Sequence, residues 1–373
     1  MSSGEDARFQ TLPLVAGIDL GGTQIRAAVL RGPHVFARAA ALTGDDPTPE
    51  RVIPRIYTTL QQALDEAKIG LDEISAIGVS SPGPLNNRTG VIYSPPNLPA
   101  WQAVPLRDTL IAQYQKPVFI EHDANAAALG EYLFGAGQNY KDIVYLTVST
   151  GIGGGIIVDG RILEGHNGTA GELGHMTIDW RGERCTCGNI GCLEALASGT
   201  AIARQANEAI ASGQGAELLA FARTMLEHPG DVPDKRALPR QDMSTQPLDE
   251  ATLIAPENSG DLKLTAHTVA RAAEAGLPVA RAIITQAAEA LGVGLVNILH
   301  IFSPEIVILG GGVMQLGTML MEPALRIVQE RAMRANREKA RIVPAQLGEN
   351  AGLVGSGALH YYYSQIPLSS TEQ

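Results

Sequence analysis

The three cysteines of this chain all fall within residues 185–192, as Cys185, Cys187 and Cys192, and His175 precedes them by ten positions. Thiolates and an imidazole are the donors zinc takes in tetrahedral coordination, and a CxC pair followed by four residues and a third cysteine puts such a set in one loop. Four protein ligands leave no open position for water, so the expected zinc is structural. The plainer alternative, three unrelated buried thiols, has to explain why every cysteine clusters beside Gly188 and Gly191. In a reducing compartment such a cluster reads as metal ligation and not as a disulfide framework.

Two further segments have the composition of phosphate cradles. Gly21, Gly22 and Thr23 follow Asp19, and Thr147, Thr150, Gly151 and Gly153 occupy a second turn. Glycine lets backbone N–H groups come close to phosphate oxygens. A carboxylate at Asp19 can hold magnesium through water, and the Thr23 hydroxyl can meet a phosphate oxygen. Either turn alone is also what a tight hairpin produces without any ligand, and neither matches the GxxxxGK[ST] loop. Phosphoryl transfer to a hydroxyl further needs a carboxylate to take the proton, and Asp123 is the candidate. An aspartate opening a helix is also a common N-cap, and the two roles can coexist.

The elements that must position these groups follow from periodicity. Residues 14–31 read as strand, Gly-Gly turn and strand, and residues 143–163 repeat that plan, ending in an Asp159-Gly160 hairpin turn. Between them, Val52, Ile56, Leu60 and Leu64 recur at helical spacing, 74–80 and 117–121 read as buried strands, and 123–134 as a packed helix. Helix is expected from Cys192 to about 210, then an irregular insertion over about 212–263, where Pro229, Pro233, Pro239, Pro247 and Pro256 occur. That insertion reads as a surface excursion, with a flap or an oligomer contact as alternatives. A long apolar helix over 278–300, a strand running into Gly310, Gly311 and Gly312, and a small-residue helix over 351–360 complete the chain.

At 373 residues the chain is long enough for two lobes with a cleft between them. Apolar residues make up 45% and charged residues 18%, and no uninterrupted apolar run reaches the roughly 18 residues a membrane helix requires. The first fourteen residues lack the basic start and apolar middle of a secretion signal. A soluble cytoplasmic protein is expected. The net charge of -11 and the absence of a Lys/Arg block argue against nucleic acid or an anionic membrane as partner.

Two strand-turn-strand units and a GGG loop resemble the α/β, two-lobed, actin-like ATPase and sugar kinase (ribonuclease H-like) fold, with duplicated lobes around a central cleft. More specifically the chain resembles the ROK family of repressors, open reading frames and kinases. The segments that carry the resemblance are DLGGTQIRAAV (19–29), SPGPL (81–85), NLPAW (97–101), DANAAALGE (123–131), STGIGGGII (149–157), GTAGELGH (168–175), CTCGNIGCLEALASG (185–199) and PEIVILGGG (304–312). The resemblance implies a small lobe of residues 1–122 plus about 355–373 and a larger lobe of 123–354 that carries the zinc motif. It implies ATP and a hexose as substrates, magnesium with the ATP, and a homodimer or homotetramer.

The same resemblance implies sugar contacts from Gly83, Asn97, His122, Asp123, Glu172, His175 and Glu194, and nucleotide contacts from Asp19, Gly21, Gly22, Thr23, Thr150, Gly151, Gly153, Gly311 and Gly312. Asp123 takes the role of base. The family usually has asparagine where this chain has His122, whose shape and titration differ from an amide and bear on hexose selectivity or pH dependence. Glucose is the expected sugar, with N-acetylmannosamine, N-acetylglucosamine or fructose as alternatives. A sugar-responsive repressor is the lesser reading, since it needs a DNA-binding segment of roughly 60–80 residues ahead of the first glycine turn. By adjacency, His175 is expected to bind zinc through one ring nitrogen and sugar through the other, so that the metal fixes the sugar pocket.

Overall fold

A computed structural model describes residues 8–166, 168–227 and 264–365. The segment VAGIDL is apolar on both faces and forms the buried centre of a five-stranded sheet as β1 (Val15–Leu20). It is followed by β2 (Gln24–Arg31), β3 (His34–Leu42), α1 (Pro49–Ala67) and β4 (Ala76–Ser81). A short hairpin, β5 (Leu85–Asn86) and β6 (Val91–Ile92), leads to α2 (Leu106–Tyr114), β7 (Val118–His122) and α3 (Asp123–Phe134). The sheet order is β3-β2-β1-β4-β7, with β2 and β3 antiparallel and β1, β4 and β7 parallel. α1 begins at Pro49, a residue whose fixed φ suits a first helical position, and turns Val52, Ile56, Leu60 and Leu64 into the core.

The second half repeats this order. β8 (Ile143–Val148), β9 (Ile152–Val158) and β10 (Arg161–Ile162) form an antiparallel meander. After a long loop come α4 (Leu193–Ala197), α5 (Gly199–Ala211), α6 (Ala216–Glu227), α7 (Ala266–Glu274) and α8 (Pro278–Phe302). β11 (Ile306–Gly310), α9 (Thr318–Arg331), α10 (Arg334–Arg337), β12 (Arg341–Pro344) and α11 (Ala351–Tyr363) follow. The order β10-β9-β8-β11-β12 matches the first sheet strand for strand, and β8, β11 and β12 are parallel. The Asp159-Gly160 turn has positive φ at both residues, as a type I′ hairpin requires.

One expectation needs correction. The insertion expected to be irregular from about 212 begins with a helix: AELLAFARTMLE contains no proline and many good helix formers, and Leu218 and Ala222 are buried. The prolines that motivated the expectation start at Pro229, and residues 228–263 lie outside the described residues. α8 is also long and apolar enough to cross a membrane, although Arg281 and Glu289 interrupt its apolar run. Its most apolar stretch is 61% buried, with Leu291, Leu295, Ile298 and Leu299 inaccessible, so it is the central core helix of its lobe.

α11 returns to the first sheet and lies on β1 and β4 at backbone distance. A Cβ added at Gly78 would stand 1.7 Å from the Ser356 carbonyl, and one at Gly17 would stand 2.6 Å from that of Leu353. α11 also crosses α3 with no side chain between them: a Cβ at Gly355 would meet the Ala126 carbonyl at 2.1 Å, and one at Gly130 would meet the Gly355 nitrogen at 3.0 Å. The small residues of AGLVGSGALH and DANAAALGE are what permit this approach.

Candidate active site

In parallel α/β sheets, ligands bind outside the carboxyl ends of the strands, and the candidate residues lie there. Asp19 is at the end of β1, where the antiparallel register sets it opposite Arg26. Its Oδ2 accepts the Arg26 Nε–H at 3.0 Å, with a second and closer contact from Arg26 Nη2, and its Oδ1 accepts the Ser80 hydroxyl at 2.8 Å. The turn that follows is pinned by Thr43, whose hydroxyl donates to the Gly21 carbonyl at 2.8 Å and whose N–H donates to the Thr23 carbonyl at 2.8 Å. Gly22 rests directly on Asn97, since an added Cβ would come within 2.4 Å of the Asn97 Cβ and 2.5 Å of its Nδ2.

The second turn is held from behind by α5. The Gly199 N–H donates to the Ser149 carbonyl at 2.7 Å, and the Thr200 hydroxyl donates to that of Thr150 at 2.8 Å. Gly153 packs on Ala124, with an added Cβ 3.2 Å from the alanine Cβ, so β9 carries this turn to the start of α3. Thr147 pairs in register with Gly310, and Gly311, at φ 93°, lies against the end of β8. Gly312 has no atom within 4 Å of an added Cβ, which leaves that side of the loop open.

Asp123 is the first residue of α3 and not its cap. Its Oδ1 accepts the adjacent Ala124 N–H at 2.7 Å, and not an amide two or three residues further on as an N-cap does. About half of the Asp123 side-chain surface (49%) reaches solvent, and the rest is covered by protein. Burial pushes its pKa above the ordinary carboxylate range; His122, with Nδ1 3.1 Å from Oδ1, opposes that rise, and the Asp19 carboxylate adds to it. Gly83 packs on the ring of His122, with an added Cβ 2.8 Å from Cδ2.

The ligand atoms of His175, Cys185, Cys187 and Cys192 all lie within 4.8 Å of one another. His175 Nδ1 is 3.6 Å from the Cys185 sulfur, and the Cys187 and Cys192 sulfurs are 3.8 Å apart. Two thiolates at about 2.3 Å from a tetrahedral centre stand about 3.8 Å apart, so the donor set fits zinc. Nδ1 faces the cysteines, while Nε2 points to Glu172, 3.9 Å away. Glu194, in α4 directly after Cys192, accepts the Ile152 N–H at 2.8 Å and has its other oxygen 3.9 Å from the Cys185 sulfur. Thus Glu194 joins the cysteine loop to the second glycine turn, a link that spacing alone did not reveal.

Arg26, Ser80 and Glu121 were also missed. For Arg26 a signal existed: a hairpin turning between Gly22 and Thr23 must place residue 26 opposite 19. Glu121 is 2% exposed and is the one carboxylate in the strand VFIEH, where it follows three apolar residues, a pattern that marks a buried polar hub.

A family model described as the ROK family matches residues 15–361. The chain belongs to the ROK family. The glucokinase of Thermotoga maritima is 33% identical over 344 residues, covering 92% of this chain and 96% of that protein. The xylose repressor of Caldicellulosiruptor bescii is 30% identical over 348 residues, covering 92% of this chain and 77% of the repressor. A crystal structure of a ROK family glucokinase from Streptomyces griseus in complex with glucose and AMPPNP matches with a TM-score of 0.72 at 30% identity, over 93% of this chain and 98% of that one. The duplicated sheets of this chain are accordingly those of the two-lobed actin-like ATPase and sugar kinase fold.

Proposed function

We propose that this ROK protein is an ATP-dependent hexose kinase that phosphorylates glucose on its 6-hydroxyl, with Asp123 as general base. The observation that carries the reading is convergence. Gly153 of one glycine turn packs on the residue after Asp123, the Asp19 carboxylate before the other turn acts on the charge of Asp123, and His122 lies directly beside it. In this reading Gly21, Gly22 and Thr23 bind the phosphates from one side and Thr150, Gly151 and Gly153 from the other. Gly311 and Gly312 border the nucleoside, and Gly83, Asn97, His122, Glu172, His175 and Glu194 surround the sugar.

The hydroxyl proton passes to the Asp123 carboxylate as the sugar oxygen bonds to the γ-phosphorus, and the bond from that phosphorus to the bridging oxygen breaks to release ADP. The raised pKa of Asp123 suits this task, because a base with greater proton affinity takes the proton more readily. Magnesium, when bound with ATP, would neutralise phosphate charge, and Asp19 is the residue that would hold it through water. His175, Cys185, Cys187 and Cys192 are the residues that would hold zinc, and the metal would stiffen the loop bearing Glu172 and Glu194. We place the enzyme in the cytoplasm as a homodimer or homotetramer.

The test is ADP release measured over glucose, fructose, N-acetylmannosamine and N-acetylglucosamine, with ATP and then polyphosphate as donor. Asp123→Asn should lower kcat by about 10²–10⁴ with little change in glucose binding. Unchanged turnover in that variant overturns the assignment of the base, and turnover best with another sugar replaces glucose. The repressor relatives motivate one control, a gel-shift titration at several salt concentrations, in which no retention of DNA is expected.

A further inference from the structure

We propose that Glu121 is a positioning residue for Asp123, holding the base in place through both of its flanks. The proposal rests on the kinase reading given above. Glu121 lies at the end of β7, two residues before Asp123, and is almost wholly buried. One carboxylate oxygen, Oε1, accepts the backbone N–H of His122 at 2.9 Å and the Nδ2–H of Asn125 at 3.1 Å. The residues on either side of Asp123, one ending the strand and one in the first turn of α3, are therefore tied to a single atom. Among the described residues the Asn125 Oδ1 is buried without a partner, and the hydrogen bond to Glu121 is the one that orients this amide.

The other oxygen, Oε2, faces away from the base and is itself held. It accepts the Tyr363 hydroxyl at 2.7 Å and the Asn87 Nδ2–H at 3.0 Å. The Tyr363 ring stacks on Phe119 of the same strand, with centroids 5.9 Å apart and planes 5° from parallel. Partial burial and the neighbouring Glu121 charge push the Tyr363 pKa up, so its hydroxyl stays protonated and remains a donor. Asn87 also donates to Glu164 Oε1 at 3.0 Å, and Glu164 follows β10 in the other lobe. The strut beneath the base thus draws on the end of the chain and on both lobes.

This arrangement predicts a particular kinetic signature. Glutamine at position 121 keeps the size of the side chain, but its Nε2 brings two donors to a site where the His122 N–H, Asn125, Tyr363 and Asn87 all now donate, so one of the two sides must rearrange. The junction between β7 and α3 then shifts, and Asp123 moves relative to the sugar oxygen, while the groups that bind the sugar elsewhere are untouched. A displacement of the reacting groups by about 1 Å is worth on the order of 10²-fold in rate.

Glu121→Gln and Tyr363→Phe are compared with the native protein and with Asp123→Asn, measuring kcat, glucose KM and the folded fraction by thermal melting. Glu121→Gln is expected to lower kcat by about 10- to 100-fold with KM within twofold, and Tyr363→Phe to lower kcat by about two- to fivefold in the same sense. The inference is overturned if both variants keep native kcat, or if activity falls only in proportion to the folded fraction. A native protein without kinase activity, or an active Asp123→Asn variant, would instead defeat the function proposed above and not the positioning argument alone.

Discussion

Gly22→Ala is the perturbation whose effect the structure defines most sharply. Gly22 is not among the glycines with positive φ, so alanine meets no backbone penalty there. The obstacle is steric: the new methyl would lie 2.4 Å from the Asn97 Cβ, about 1 Å inside ordinary van der Waals contact. The Asn97 Cβ has no rotamer to escape into, and Thr43 pins the Gly21 and Thr23 carbonyls on either side, so the backbone of one segment must retreat. Overpacking of this kind costs about 1–3 kcal/mol, which lowers Tm by roughly 1–4 °C in a chain of this size. Displacing the phosphate turn from the sugar segment by about 1 Å should lower kcat/KM by about 100-fold, or about 2.7 kcal/mol of transition-state stabilisation. Steady-state kinetics of Gly22→Ala, Asn97→Gly and the double variant test this, because removing the Asn97 Cβ relieves the clash. The double variant should be more active than the two single losses multiplied together. A Gly22→Ala enzyme with native kcat/KM would refute the reasoning, and so would strict multiplication of the two losses.

The pH profile should follow the environment of Asp123: activity rises as the carboxylate ionises, so the acid limb of kcat/KM is expected above the ordinary carboxylate range. His122→Asn removes an influence that lowers this pKa and should move the limb to higher pH; a shift to lower pH would contradict the pairing. For zinc, Cys187→Ser should reduce bound metal, measured by atomic absorption, and weaken glucose binding by about 10- to 100-fold through loss of the support to Glu172 and His175. Metal-depleted protein with native glucose affinity, measured by calorimetry, would separate the metal from the sugar pocket.

The parts of the fold that could be read from the sequence are those set by local pattern. The Gly-Gly turn between two apolar runs dictated the β1–β2 hairpin, its near-repeat around Thr150 dictated β8–β9, and the spacing of Val52, Ile56, Leu60 and Leu64 defined the buried face of α1. The cluster of His175, Cys185, Cys187 and Cys192 was legible because all four lie within eighteen residues of one another (175–192), where geometry follows from spacing. Glu121 was not, because its partners Asn87 and Tyr363 are 34 and 242 positions away, and only tertiary packing brings them together. Helix α6 was obscured by proximity to prolines that begin two residues beyond its end.

The bare backbone contact between α3 and α11 has a mechanical consequence. Glycine and alanine have no rotamers to reset, so a small tilt of one helix against the other needs no side chain to rearrange at the point of contact itself. Asp123 sits seven residues from Gly130 along α3, roughly 10.5 Å at the rise of an α-helix. A tilt of about 5° pivoting at that contact therefore carries the base by roughly 0.9 Å, comparable with the displacement to which phosphoryl transfer is sensitive. Small rigid movements of the two halves are enough to bring the carboxylate into line or out of it.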